Sequence, residues 1–253
     1  MRRGGRRGQR RSWLIVAVVL TAIFLAAVFE NQSSQNQTSG VRAAIVDQLS
    51  LTYRDESFVG SVTTTLELAG YKVDYYPGEA ATVDFYRSLP ELGYGLLILR
   101  AHSGVHSSGD LLALFTSEVY STTKYLPEQL VGQVGRVWYG KVGEGTPYFG
   151  VNQEFVRQGM KGRFQNTLVI MMGCNGLSHT DAMARAFVEK GAKIYIGWSG
   201  SVLGSHTDLA TTHLVQHLLE EGKTVGEAIA ETMVEVGPDP LYNSKLIYYP
   251  SSS

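Results

Sequence analysis

The sequence predicts an α/β protein, a three-layer α/β/α sandwich on a mainly parallel sheet, preceded by one N-terminal transmembrane helix. Three observations carry that expectation. Short, continuously apolar runs recur through residues 41–253, as strands buried on both faces require. Segments with apolar residues at helical spacing lie between them. Ahead of both stands the stretch WLIVAVVLTAIFLAAVF, residues 13–29, with no charge and no helix breaker.

The N-terminal elements follow from charge and length. The chain holds 22 Lys+Arg and 23 Asp+Glu, a formal net charge of −1. Arg2, Arg3, Arg6, Arg7, Arg10 and Arg11 all precede residue 13, so without those six the remaining net charge is −7. No basic cluster recurs later, so the split is a topology signal and no nucleic-acid partner is expected. Residues 13–29 form a helix of ~25 Å at ~1.5 Å per residue, near the short end for a bilayer. A cleaved signal peptide is the competing reading, but the apolar run exceeds the usual ~7–15 residues and no small-x-small site closes it. Residues 1–12 are then a basic cytoplasmic tail. The chain after residue 29 lies outside, in a single-pass protein of the cell membrane. Residues 30–40, ENQSSQNQTSG, are too polar to fold alone and read as a flexible stalk. Asn31 and Asn36 each open an N-glycosylation triplet there.

Residues 41–253 are expected to form one domain. Strands are predicted over 42–47, 71–75, 96–101, 168–172 and 193–197. Phe58, Val59, Val62, Leu66 and Ala69 keep helical spacing up to Gly70. Met183, Ala184, Phe187 and Val188 do the same up to Gly191, with Ser178 and Asp181 placed as a capping box. A second box, Thr224 and Glu227, precedes Val225, Ala228, Ile229, Thr232, Met233 and Val236. Residues 103–166 interrupt the rhythm as an insert between two core strands, with a strand expected over 136–139 and a short helix before Gly159. Inserts of that length usually carry function. The single cysteine excludes a disulfide framework. With 44% hydrophobic and 18% charged residues, the chain is neither disordered nor polytopic.

Ligands of open parallel sheets bind beyond the carboxyl ends of the strands. Two strands end there in the same local grammar: LLILRA before His102-Ser103-Gly104, and LVIMM before Gly173-Cys174-Asn175-Gly176. If these strands are parallel neighbours, His102 and Cys174 emerge at one edge. A free thiol, with a pKa near ~8.5, is mostly protonated at neutral pH, and the thiolate is the nucleophile. A neighbouring imidazole takes that proton and later protonates a leaving amine. The helix expected after Ser178 adds its positive end near the sulfur. Backbone N–H groups of Cys174 and of Ser103 or Gly104 can form an oxyanion hole, with Gly104 and Gly176 allowing tight turns. No metal or organic cofactor is called for.

At these residues the sequence resembles the caspase and gingipain superfamily of cysteine peptidases, which place a catalytic histidine after one apolar strand and a catalytic cysteine after the next sheet strand. Gly173-Cys174-Asn175-Gly176 is most similar to the gingipain version. The resemblance runs over 41–249 in strand order, and its specific part is the two short blocks. Family members commonly have Gly directly after the histidine, whereas here Ser103 intervenes, a departure that touches the oxyanion donor more than the Cys–His dyad. The resemblance implies a caspase-like fold, thiol protease activity and a peptide or protein substrate. It also implies that the turn Gly197-Trp198-Ser199-Gly200-Ser201 borders the pocket for the residue preceding the scissile bond. Trp198 and Ser199 would line that pocket, and Asp47, ending the first strand, would be an acidic floor favouring Lys or Arg. A non-catalytic surface binding module of the same fold is the alternative.

Other constellations are weaker. The segment around Ser199 nearly matches the nucleophile elbow of a serine hydrolase, but its last glycine is missing. Of the histidines that follow (His206, His213, His217), an acid precedes only the last two, and that acid is Asp208. His213 and His217 stand one helical turn apart like a zinc pair, but Leu214 occupies the place of a zincin's general-base Glu. Leu214, Val215 and Leu218 form the buried stripe, so a solvated face is expected for the two imidazoles. His106 and His179 lie near the proposed edge without ending a strand. Residues 140–150, GKVGEGTPYFG, lack the ending of a phosphate loop and read as a hairpin or flap.

Overall fold

The computed structural model describes residues 41–105, 111–178 and 180–250. The expected cytoplasmic tail, anchor and stalk, with Asn31 and Asn36, lie outside the described residues, as do His106 and His179. Among the described residues no helix is long and apolar enough to cross a membrane.

The first half of the sheet alternates strand and helix. Strand β1 (Arg42–Asp47) leads to α1 (Glu56–Leu68), β2 (Lys72–Pro77), α2 (Val83–Ser88) and β3 (Leu96–Arg100). Asp55 caps α1 by accepting from the Phe58 N–H at 3.0 Å, and Gly70 ends the turn beyond it at φ 88. After the insert come β8 (Leu168–Met171), α4 (Ala182–Glu189), β9 (Ile194–Trp198), α5 (Gly204–Leu219), α6 (Val225–Glu235) and β10 (Leu246–Tyr249). The six strands lie in the order β10-β9-β8-β3-β1-β2. All neighbours are parallel except β10, which runs antiparallel to β9.

The apolar strands are continuous because each feeds two cores. Ala43, Ile45, Leu96, Ile98, Ile170, Ile196 and Trp198 point to one face, under α1, α5 and α6. Ala44, Val46, Leu97, Leu99, Val169, Met171 and Tyr195 point to the other, under α2 and α4. Each such side chain contributes roughly 1.5–3 kcal/mol on full burial. The three layers expected from the sequence are thus present.

The insert holds more structure than its expected single strand. β4 (Ser103–Val105), β5 (Leu112–Val119), β6 (Val134–Val137) and β7 (Tyr148–Val151), with the short α3 (Leu126–Leu130), build an antiparallel sheet ordered β4-β5-β7-β6. Leu112, Leu114, Val134, Phe149 and Val151 seat this sheet on the core beneath α2 and α4. Residues 140–150 belong to the β6–β7 hairpin, and a π turn over Phe155–Gly159 stands where a helix was expected.

β2 is a sheet-edge strand, and β10, at the other edge, has no counterpart among the strands predicted from the sequence. One local expectation needs correction. Asp181 stands at the α4 N-cap in the left-handed region with no capping bond; its carboxylate pairs with Arg185 at 2.6 Å instead. The box of Thr224 and Glu227 on α6 forms as expected.

Candidate functional site

Parallel pairing sets the site. β3 and β8 are adjacent and in register, Leu96 opposite Leu168 through Leu99 opposite Met171, so the two loops that follow leave the sheet level with each other. They stay in contact. A Cβ at Gly173 would collide with the Ala101 carbonyl oxygen, Ser103 Oγ and Met171 Cε, so only glycine lets the cysteine loop pass the histidine loop. Ser103 Oγ donates to the Cys174 carbonyl at 2.5 Å. His102 and Cys174 are thereby brought to one sheet edge, both partly buried.

The imidazole is held from several sides. The backbone N–H of His102 donates to Gln48 Oε1 at 2.8 Å, and the ring's Nε2 stands 2.6 Å from Thr52 Oγ1. The Thr52 hydroxyl donates to the Leu49 carbonyl at 3.2 Å. The Leu49 carbonyl also accepts from the Thr52 and Tyr53 N–H groups, so the short Thr52 contact fixes the position of the ring, and the tautomer follows from which of the two atoms donates. The insert supplies an aromatic wall: the Tyr139 and Phe115 rings lie 5.3 and 5.9 Å from the imidazole. Tyr139 Oη in turn accepts from Gln48 Nε2 at 2.5 Å and donates to the Thr116 carbonyl at 3.0 Å. Burial, reinforced by the Arg100 charge, pushes the His102 pKa below its ordinary 6.5, so the ring is neutral at pH 7.

The sulfur faces another turn. Cys174 Sγ donates to the Val202 carbonyl at 3.6 Å and accepts from the Val202 N–H at 3.4 Å. Among the described residues no hydrogen bond joins it to His102. The Cys174 N–H likewise has no backbone partner among them. Ser103 and Gly104 lie on β4, opposite Leu114 and Ala113 of β5. Gly104 is thus a strand residue, not the turn glycine expected.

Beneath the site lies an ion cluster that the sequence reading missed. Arg100 is fully buried. It donates through Nη1 to Asp47 at 2.5 Å and through Nε and Nη2 to Asp208 at 2.8 and 2.7 Å. Burial pushes the Asp208 carboxyl up against the opposing pull of Arg100. The signal was an arginine ending an all-apolar strand, which must find a carboxylate. Asp47 sits opposite it in the strand register.

This cluster corrects the expected pocket. Asp47 also accepts from Tyr75 Oη at 3.0 Å and is 1% exposed, so its charge is spent internally. It borders a cavity of about 420 Å³ whose accessible carboxylates are Asp55, Glu56 and Glu79. Trp198 is fully buried, its Nε1 donating to Thr207 at 2.9 Å, because strand alternation turns it into the core. Ser199 is exposed, but its Oγ accepts from the Lys245 N–H at 3.0 Å. With Asp208 bound to Arg100, the serine-hydrolase reading has no acid to orient a histidine.

The fold and site together define an α/β protein whose parallel sheet delivers a histidine and a cysteine to one edge. No family model matches the chain, and no curated protein matches it. Among solved structures it is similar to the Arg specific cysteine proteinase gingipain R, at 16% identity and a TM-score of 0.45, over 78% of this chain and 41% of that one. The chain thus spans less than half the length of that proteinase.

Proposed function

We propose that this chain is a cysteine peptidase of caspase-like fold that hydrolyses peptide bonds, with Cys174 as nucleophile and His102 as general acid/base. The observation that carries the reading is the in-register pairing of β3 with β8 beneath the two loops. A neutral imidazole suits proton transfer from the thiol at the moment of attack, rather than a resting ion pair. The Cys174 N–H, with Ser103 or Gly104 on β4, would hold the oxyanion. The sequence of residues 1–40 supports a membrane-anchored enzyme with this domain on the outer side, and Asn31 and Asn36 as modification sites.

The purified protein should cleave members of a mixed peptide library, and Cys174→Ala should abolish the cleavage. Equal cleavage by both would sink the proposal. One observation favours a second reading, a binding module: the sulfur bonds to Val202 and the imidazole to Thr52, not to each other. Alkylation of Cys174 separates the two. An activated thiol reacts fast at neutral pH and slows in His102→Ala, whereas a binding module shows slow, His102-independent labelling.

A further inference from the structure

His213 and His217 do not form the solvated face expected of them. His217 is 5% exposed, and α6 brings a carboxylate to both rings. Glu235 Oε2 lies 2.7 Å from His213 Nδ1 and 3.2 Å from His217 Nε2. The other nitrogen of His217 meets a carboxylate too, Nδ1 standing 3.1 Å from Glu221 Oε1 and 3.7 Å from Glu231 Oε2.

That arrangement contains a conflict. A neutral imidazole has one N–H and one lone pair, yet both nitrogens of this buried ring face carboxylate oxygens. A second proton on the ring, or a metal ion at one of its nitrogens, supplies the cation that both sides require. Lys223 pairs with Glu221 and Glu231, on the Nδ1 side. Among the described residues, Glu235 has no cationic side chain beside it other than the imidazoles themselves.

We propose that His213 Nδ1, His217 Nε2 and Glu235 bind one divalent zinc ion, clamping the C-terminal half of α5 to α6. The three donor atoms lie within 4.8 Å of one another. Zinc takes imidazole nitrogen at roughly 2.0–2.1 Å and carboxylate oxygen at roughly 2.0–2.2 Å, in tetrahedral geometry that leaves a fourth position for water. Glu221 then accepts from Nδ1–H of His217, the outer carboxylate that fixes the tautomer of a metal-bound histidine. Three glutamates against one lysine leave the local charge a divalent cation requires. The site is independent of Cys174 and of the peptidase reading.

The test uses the full chain, produced without a polyhistidine tag and titrated at neutral pH with Co²⁺ as a spectroscopic stand-in. One equivalent should bind with tetrahedral absorption and be displaced by Zn²⁺. Glu235→Gln and His213→Asn, both at partly exposed side chains, should weaken binding at least tenfold. Glu221→Gln, in the outer position, should weaken it by roughly 10–100-fold. Glu67→Gln, exposed on α1, should leave it unchanged. No saturable one-equivalent binding would overturn the proposal, as would unaltered affinity in both ligand variants. So would a His217 ring that nitrogen NMR finds doubly protonated under excess Zn²⁺, since the second cation would then be a proton.

Discussion

Nε2 of His102 lies 2.6 Å from the hydroxyl oxygen of Thr52, in the turn that follows β1. A side chain from the first strand's exit thus holds the ring of a residue after the third strand. Thr52→Val removes that hydroxyl at nearly constant volume. A neutral hydrogen bond is worth about 0.5–1.5 kcal/mol, so Cys174 alkylation should slow roughly two- to tenfold. Thr52→Ser should keep the native rate. An unchanged rate in Thr52→Val would remove Thr52 from the site.

The acid limit of reactivity should fall below pH 6.5, because burial and Arg100 hold the folded His102 below that ordinary value. The sign is that of a depressed base: the ring's free lone pair is present above the folded pKa and lost beneath it. The same shift costs stability in acid. Between 6.5 and the folded value the unfolded chain binds more protons, so stability falls as pH drops through that window and levels off below it. A pH profile of alkylation, set beside His102→Ala, measures this directly; an acid limb above 6.5 would contradict it.

Arg100→Met should cost about 3–5 kcal/mol, since it leaves Asp47 and Asp208 buried without their cation. Urea denaturation reads that loss. The triple change Arg100→Met with Asp47→Asn and Asp208→Asn should recover part of it.

Gly173→Ala should destabilise by roughly 1–3 kcal/mol, as overpacking does, and should also lower Cys174 reactivity by driving the two loops apart. Gly104→Ala is the contrast. Its Cβ would meet only the Phe115 ring, at 3.6 Å, so stability and labelling should hardly change. Equal behaviour of the two variants would show that loop contact at Gly173 does not matter.

Legibility followed periodicity. Strands such as Leu96–Arg100 and Leu168–Met171 were readable because burial on both faces leaves an unbroken apolar run. Their exits marked His102 and Cys174 as residues to pair. That β3 and β8 are neighbours was a condition on the sequence argument, because strand order is a property of packing and has no local code. Thr52 and Gln48 were invisible for the same reason: a polar residue in a short turn carries no periodic signal until the fold brings the imidazole to it. Trp198 was misplaced because a motif position was followed where the two-residue alternation of its own strand pointed inward. His217 was misjudged because a helical wheel shows one helix's stripe and not the glutamates of the next.

Arg100, Asp47 and Asp208 join β1, β3 and α5 under the site through one cation shared by two carboxylates. Their sequence drift is therefore bound together. Loss of Arg100 alone leaves two buried carboxylates without their cation, whereas loss of one aspartate leaves a balanced pair. Relatives of this protein should keep Arg100 with at least one of the two acids, and should never keep both acids without it. An alignment in which Arg100 persists beside apolar residues at both acid positions would refute that rule.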